Sequence, residues 1–179
     1  MKDLALHILD LVQNSLRAGA QLVEIYVVAE EDKDLLRVAI TDDGKGIPAG
    51  DLEKVLDPFY TTRTSRRVGL GLPLFEAAAN RSGGGLTVTS TPGHGTKLEA
   101  TFQLRHWDRP PLGDMAGTLL TLIAANPEVD FVYRQKLNGK EYTFDTRQIK
   151  VVLEEVPVNH PEVLACLRRE LQDNVYEEG

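Results

Sequence analysis

The sequence predicts an α+β protein in which amphipathic helices alternate with β hairpins. Residues 3–18 carry apolar side chains at steps of three and four, the pattern of an amphipathic helix, and Gly19 follows as its end. The β-rich runs 22–28 and 35–40 flank a charged turn and predict a hairpin. Since no stretch approaches the roughly 20 apolar residues of a membrane helix, we expect a globular chain without a membrane span.

Further elements follow the first hairpin in the same unit. A Pro-Gly-His-Gly turn at 92–95 predicts a second hairpin. The predicted elements are a short helix at about 51–56, a polar segment at 60–68, a helix at about 71–82, and strands at 85–90 and 97–104.

The pattern changes around two adjacent prolines, Pro110 and Pro111, which indicate a domain boundary. We expect a first domain over 1–106, a linker over 107–112 and a small α+β unit over 113–179 packed on the first. The second unit is predicted to contain a helix at 113–125, a strand at 129–136, a turn at Asn138-Gly139, strands at 141–145 and 148–154, and a helix at 161–175.

Charge and cysteine content limit the partners and the compartment. The net charge is −7, from 27 acidic and 20 basic residues, so general nucleic-acid binding is not expected. A local exception is the basic cluster of Arg63, Arg66 and Arg67, which suits a small polyphosphate. Asp3 and Asp10 interrupt any N-terminal apolar run, and the single cysteine cannot form an internal disulfide. A cytoplasmic location is therefore expected.

Two polar residues on the first helix form the first candidate site. Asp10 and Asn14 lie four residues apart, so their side chains project from one face about one turn from each other. Magnesium takes oxygen ligands, which fits an Asn carboxamide beside phosphate oxygens, and Asp10 could then act as a base. The alternative is that both residues are the polar side of an amphipathic helix.

The second candidate site is the run Asp42-Asp43-Gly44-Lys45-Gly46 at the end of a predicted strand. Its glycines allow a sharp turn and close approach to a flat ligand. The Asp42 carboxylate can only accept hydrogen bonds, which matches the exocyclic amine of adenine. An ordinary Asp/Gly turn between strand and helix is the alternative interpretation.

The third candidate is a glycine-containing helix start preceded by a basic segment. Backbone N–H groups at the start of a helix attract phosphate, and the run 69–72 reads Gly-Leu-Gly-Leu. The segment 58–67 before it is polar and basic, as expected of a lid over a triphosphate. A solvated loop is the alternative for its arginines. Phe59 is expected to anchor the segment in either case.

The order of these motifs resembles the GHKL superfamily of gyrase, heat-shock chaperone, sensor histidine kinase and mismatch-repair ATPases. The N box corresponds to the run from Asp10 to Ala20, and the G1 box to 42–46. The F box of sensor kinases corresponds to 57–63, G2 to 69–72 and G3 to 93–96. The resemblance ends at about residue 104.

This resemblance implies a two-layer α/β sandwich, a mixed β-sheet with helices on one face, and a site for ATP and Mg²⁺. By similarity, Asn14 binds Mg²⁺, Asp42 binds the adenine amine, and Asp10 is the catalytic base. The other residues expected to contact the nucleotide are Gly44, Gly46, Phe59, Thr62, Arg63, Gly69, Leu70, Gly71, Leu72 and Thr96.

Departures from the family pattern bear on the reaction. The match begins within ten residues of Met1, so we do not expect the acceptor-histidine hairpin of sensor kinases, and we interpret His7 as a core or pocket-rim residue. Families that hydrolyse ATP usually carry Glu where this chain has the shorter Asp10, which predicts weak turnover. The expected function is phosphate transfer to a separate partner protein in signalling, contacted through 113–179 or the lid. The alternatives are an ATP-operated binding module and a weak ATPase.

Overall fold

The architecture comes from a computed structural model, which describes residues 3–57, 68–176 and 178. Short 3-10 helices at Ala49–Asp51 and Lys54–Leu56 stand where one short helix was predicted. The α-helices are α1 (Leu4–Arg17), α2 (Val68–Arg81), α3 (Met115–Ala125), α4 (Thr146–Leu153) and α5 (Pro161–Asn174). The strands are β1 (Leu22–Glu30), β2 (Leu35–Asp42), β3 (Gly85–Thr91), β4 (Gly95–Gln103), β5 (Asp130–Leu137) and β6 (Lys140–Asp145).

The described strands form a mixed sheet in the order β3-β4-β2-β1-β5-β6. Strands β1 and β5 are parallel neighbours, whereas the other neighbouring strands are antiparallel. The parallel pair requires a crossover, and the chain between β1 and β5 supplies it. The predicted α+β fold class, with a mixed sheet and helices packed on it, is confirmed.

Alternation along the strands separates the core face of the sheet from its polar face. In β1, Val23, Ile25 and Val27 are buried, while Tyr26 between them is 41% exposed. The buried residues share one cluster with side chains of α1, α2, α3 and α5. Within the described part of the chain, no helix has the length and apolar character needed to cross a membrane.

Helix α1 forms where the periodicity predicts it, and local interactions fix both of its ends. The Asp3 carboxylate caps the start by accepting a hydrogen bond from Leu6 N at 2.9 Å. Gly19, with a φ of 78°, turns the chain out of the helix, a conformation that glycine adopts without steric cost. The buried stripe faces the sheet, so the opposite side of α1 is available to other groups.

The 1–106 and 113–179 regions are joined by backbone hydrogen bonds as well as by the chain. Strand β5 pairs with β1 from Leu22↔Asp130 to Val28↔Lys136. Leu4 N donates to the carbonyl of Pro111 at 2.9 Å, and Ala5 N to that of Leu112 at 2.8 Å. The linker therefore contacts the first turn of α1, while the division into two domains stays a prediction.

The predicted strand at 148–154 is wrong, because this segment lies in helix α4. Asp145 caps the helix by accepting from Arg147 N at 2.9 Å. The Lys150 ammonium group donates to the carbonyl of Val129 at 3.0 Å and holds the helix beside β5. Val151 and Val152 on this helix are 78% and 82% exposed.

Candidate functional site

The end of β2 and the side of α1 meet through a hydrogen bond between two side chains. Ser15 Oγ donates to Asp42 Oδ2 at 2.7 Å, and Gly44 N donates to Asp42 Oδ1 at 2.9 Å. Each carboxylate oxygen therefore accepts one hydrogen bond from the protein. Because Ser15 follows Asn14 directly in α1, this contact places the two motifs that contain Asn14 and Asp42 side by side.

The neighbouring carboxylate, Asp43, has a different environment. Its Oδ1 atom accepts hydrogen bonds from Gln21 N at 2.7 Å and from Leu22 N at 2.9 Å, at the start of β1. Asp43 thus satisfies the backbone donors at the entry to β1, which is a structural role. Asp42 is the member of the pair that faces α1.

Glycine is required in this turn because its backbone packs against other backbone segments. A Cβ atom on Gly44 would lie 2.9 Å from the carbonyl oxygen of Ala18 at the end of α1. Gly46 has a φ of 76°, and a Cβ there would lie 2.5 Å from the carbonyl oxygen of Thr91. Contacts within the protein therefore explain both glycines, which were predicted from close approach to a ligand.

Thr96 lies next to the Asp42 end of β2. It pairs with Asp42 in the antiparallel ladder of β2 and β4. Its Oγ1 atom is 2.9 Å from Ser90 Oγ, which also accepts a hydrogen bond from Ile47 N at 2.7 Å. The hairpin of β3 and β4 thus holds the turn after Asp42 in place.

The start of α2 packs against the two polar residues of α1. A Cβ atom added to Gly71 would lie 2.5 Å from Asp10 Oδ2 and 3.7 Å from Asn14 Nδ2. Only a residue without a side chain fits this position while Asp10 keeps its conformation. The structure therefore brings together Asp10, Asn14 and Gly71, which belong to two separate motifs.

Burial and the charge of Arg17 affect the pKa of Asp10 and the orientation of Asn14. Burial raises the pKa of Asp10, and the nearby charge of Arg17 acts in the opposite direction. Arg17 Nη1 also donates to Asn14 Oδ1 at 3.1 Å. Asn14 thus presents its carboxamide oxygen toward a cation, and Asp10 is a carboxylate with an increased tendency to hold a proton.

His7, on the same helix, belongs to the core. Its ring lies 5.4 Å from that of Phe75 on α2, and the residue is 4% exposed. Burial lowers its pKa to about 4. Its Nδ1 atom has no hydrogen-bond partner among the described residues. This environment favours a neutral, packed imidazole and agrees with the interpretation of His7 as a core residue.

The remaining predicted site residues fall into three groups. Gly69 and Leu70 lie at the start of α2. The Leu72 side chain is 7% exposed and belongs to the core cluster. The predicted lid residues Phe59, Thr62 and Arg63, with the two arginines that follow, lie outside the described residues.

Sequence reasoning missed Ser15 and Arg17, the partners of Asp42 and Asn14. A serine within the buried stripe of α1 was the available signal, since a buried hydroxyl requires a hydrogen-bond partner. Its partner lies 27 residues away in sequence. The identity of that partner could therefore not be read from local spacing.

Comparison with known proteins identifies the family of this chain. The sequence profile of the family described as histidine kinase-, DNA gyrase B- and HSP90-like ATPases matches residues 2–106. The non-motile and phage-resistance protein of Caulobacter vibrioides is 34% identical over 111 residues, which cover 57% of this chain and 13% of that protein. The sensor histidine kinase ZraS of Escherichia coli O157:H7 is 31% identical over 106 residues, covering 59% of this chain and 23% of the kinase.

A solved structure also has a similar fold. The crystal structure of the N-terminal domain of a DNA repair protein superposes with a TM-score of 0.52 at 18% identity, covering 80% of this chain and 52% of that one. The chain matches a quarter or less of the length of the Caulobacter protein and of ZraS. Because the profile match includes more than half of the sequence, the chain belongs to the family of histidine kinase-, DNA gyrase B- and HSP90-like ATPases.

Proposed function

We propose that this chain binds Mg-ATP between α1, the turn after β2 and the start of α2, and transfers phosphate to a separate partner protein. The observation that carries the proposal is the packing of Gly71 against Asp10 and Asn14. It joins the candidate metal ligand, the candidate base and a glycine-containing helix start in one place. The hydrogen bond from Ser15 adds Asp42 to the same region.

Asp42 is proposed to select the adenine base. Its two oxygens each accept one hydrogen bond from the protein, and a carboxylate oxygen can accept more than one. A further bond from the exocyclic amine of adenine is compatible with this arrangement. Thr96 and the hairpin of β3 and β4 support this end of the site.

The side chains fit a magnesium ion that is held mainly by the nucleotide. The described residues contain no group of three or more His, Cys, Asp or Glu side chains able to hold a metal ion. One carboxamide oxygen, that of Asn14, is consistent with Mg²⁺ bound through phosphate oxygens, water and few protein ligands. When bound, the ion would neutralise charge on the phosphates. Arg17 would then release Asn14 Oδ1, to which it now donates at 3.1 Å.

Asp10 is proposed as the base that accepts a proton from the attacking hydroxyl, imidazole or water. A raised pKa suits this role, because proton transfer is most effective when the pKa of the base approaches the working pH. Its short side chain limits its reach, so we expect slow turnover. The names of relatives, including sensor histidine kinases, support phosphate transfer as the reaction.

Calorimetry and radiolabelling test the two parts of this proposal separately. We expect Mg-ATP to bind the wild type and Asp42→Asn to weaken binding by at least about 10-fold, because the amide presents a donor to the adenine amine. Asp10→Asn should leave affinity within about threefold while phosphate release falls by about 100-fold or more. Unchanged affinity of Asp42→Asn would contradict the assignment of Asp42.

A specific observation also favours an ATP-operated binding module as a second candidate. The first turn of α1 donates to the carbonyls of Pro111 and Leu112, so the helix with Asp10 and Asn14 is bonded to the segment leading into 113–179. A movement of α1 on nucleotide binding would therefore be transmitted to the 113–179 region. Transfer of labelled phosphate to a histidine or serine of a partner supports the kinase. ATP-dependent partner binding without transfer supports the module.

A further inference from the structure

Ser15 contacts Asp42, and the proposed function assigns it no role of its own in nucleotide binding. It is 5% exposed, although it lies on the same helix as the partly buried residues Asp10 and Asn14. Its hydroxyl donates to Asp42 Oδ2 at 2.7 Å, a short bond to a carboxylate. We propose that Ser15 is a positioning residue that makes the site selective for adenine, an inference that rests on the proposed binding of ATP.

The hydrogen bond between Ser15 and Asp42 has a defined direction. A carboxylate has no proton to donate, so the hydroxyl hydrogen must point from Ser15 to Asp42. Gly44 N holds the other oxygen at 2.9 Å. The two donors lie on different elements, α1 and the turn after β2, and together they fix the rotation of the carboxylate about its Cβ–Cγ bond. The remaining lone pairs then have a defined direction.

The lone pairs of Asp42 can accept a hydrogen bond from an amine but not from a carbonyl. An amino group at position 6 of a purine donates to a fixed carboxylate oxygen. A carbonyl at the same position, as in hypoxanthine, places an acceptor against an acceptor and is disfavoured. Without Ser15, Oδ2 loses its protein donor and the carboxylate gains rotational freedom. The site would then lose affinity for the amine while its interaction with the carbonyl analogue changes little.

The test compares ATP with inosine triphosphate, which carries a carbonyl in place of the 6-amino group. Affinities for both are measured by calorimetry in the presence of Mg²⁺ for the wild type, Ser15→Ala and Ser15→Thr. Ser82→Ala is the matched control, because Ser82 is a fully buried serine that donates to Ala78 O at 2.8 Å within α2 and its following turn. Thermal unfolding of each variant is recorded in parallel.

We expect the wild type to prefer ATP by at least about 10-fold and Ser15→Ala to reduce that ratio by about 10-fold, with affinity for inosine triphosphate within about threefold. Ser15→Thr, which keeps the hydroxyl, should retain the preference. Ser82→Ala should leave the ratio unchanged. A merely structural serine would instead lower both affinities together and leave their ratio intact, which would overturn the inference.

The outcomes also separate this inference from the function on which it rests. Failure of the wild type to bind either nucleotide overturns both. Selective ATP binding by the wild type, with an unchanged ratio in Ser15→Ala, overturns the role of Ser15 alone. Should Ser15→Ala not fold, Ser15→Cys provides the same comparison, because a thiol has similar size but is a much weaker donor. A retained ratio in that variant likewise contradicts the proposal.

Discussion

At the scale of single residues, Gly71 is the position where fold and site constrain each other most directly. Alanine is about 1 kcal/mol more favourable than glycine inside a helix, so Gly71→Ala should not destabilise α2 by itself. Its Cβ would, however, approach Asp10 Oδ2 to 2.5 Å and displace that carboxylate. We expect unfolding free energy within about 1 kcal/mol of wild type and phosphate release reduced by about 10-fold or more, measured by urea denaturation and a labelled-ATP assay.

Gly50→Ala is the matched control for this substitution. A Cβ atom at Gly50 would have no neighbour within 4 Å, and the residue lies in the short 3-10 helix Ala49–Asp51. Both stability and turnover should therefore stay near the wild-type values. Full turnover in Gly71→Ala would mean that Asp10 can move without consequence, which would remove the support for its role as base.

His7 gives the molecule a pH-dependent stability. Its pKa falls from about 6.5 in the unfolded chain to about 4 in the folded protein, because burial disfavours the imidazolium. The unfolded state therefore binds more protons between these values. The contribution of neutral His7 is complete above pH 6.5 and is lost as the pH falls toward 4. We expect unfolding free energy to decrease by about 1.4 kcal/mol per pH unit in this window, from this group alone.

His7→Phe removes this titration while keeping an aromatic ring next to Phe75, 5.4 Å away in the wild type. Since His7 Nδ1 has no hydrogen-bond partner in the described part of the chain, no bond at that atom is lost. Urea denaturation gives the unfolding free energy at pH 7 and at pH 5. The difference between these two values should be about 2 kcal/mol smaller in the variant than in the wild type. Equal pH dependence in both proteins would contradict a neutral buried His7.

At the scale of elements, the helices and turns that depend on local sequence were predicted from periodicity and turn residues. The stripe of α1 and the turns at Gly19 and at Asn138-Gly139 were readable because apolar spacing and turn residues specify them. Helix α4 was not predicted. Val151 and Val152 have β-branched side chains that favour strands, whereas the Asp145 cap and the packing of α4 against β5 stabilise the helix. Tertiary contacts override propensity in so short an element.

In the site too, local motifs were predictable from the sequence and long-range side-chain contacts were not. Its motifs specified Asn14, Asp42 and the glycine-containing start of α2, since each lies in a short run with a distinct composition. The partners Ser15 and Arg17 depend on how α1 lies against β2 and on side-chain conformation, which no local pattern encodes. The pairing of β1 with β5 is likewise a long-range interaction that no local pattern encodes.

The cap of α4 can be tested directly. Asp145 accepts from Arg147 N at 2.9 Å and also from its guanidinium, so Asp145→Ala should lower the unfolding free energy by about 1 to 2 kcal/mol. Asparagine also caps helices well, and Asp145→Asn should cost less than half as much because it loses only the ion pair. Urea denaturation and amide hydrogen exchange over 149–153 measure the effect. Equal losses in the two variants would assign the stability to the ion pair.

At the scale of the whole molecule, the two ends of the chain meet at the linker. Arg109 Nη1 and Nη2 bind the two carboxylate oxygens of Glu178 at 2.9 and 3.1 Å, and Arg109 Nε donates to Leu104 O at 2.6 Å. Glu178 Oε1 also accepts from Leu112 N at 2.9 Å. Because Leu112 O in turn accepts from Ala5 N, this cluster connects the C-terminal segment with the first turn of α1.

This connection predicts that Arg109 contributes more to stability than an ordinary surface arginine. Its side chain is 12% exposed, and Arg109→Ala would remove both guanidinium bonds to Glu178, which would keep only its bond from Leu112 N, together with the bond to the Leu104 carbonyl, at a cost of about 2 to 4 kcal/mol. Arg105→Ala is the control, because Arg105 has a side chain 64% exposed and an ion pair with Asp34 at 3.3 Å, worth about 1 kcal/mol or less. Both are measured by chemical denaturation.

A double-mutant cycle with Glu178→Ala isolates the pair from the other contacts of Arg109. If the bidentate bond is the main contribution, Glu178→Ala should add little once Arg109 has been replaced, and the coupling energy should exceed about 1 kcal/mol. Equal costs for Arg109→Ala and Arg105→Ala, with no coupling, would mean that the C-terminal segment does not stabilise the linker. In the expected case, a substitution more than 60 residues from Asp42 in sequence weakens the support of the helix that carries Asp10 and Asn14.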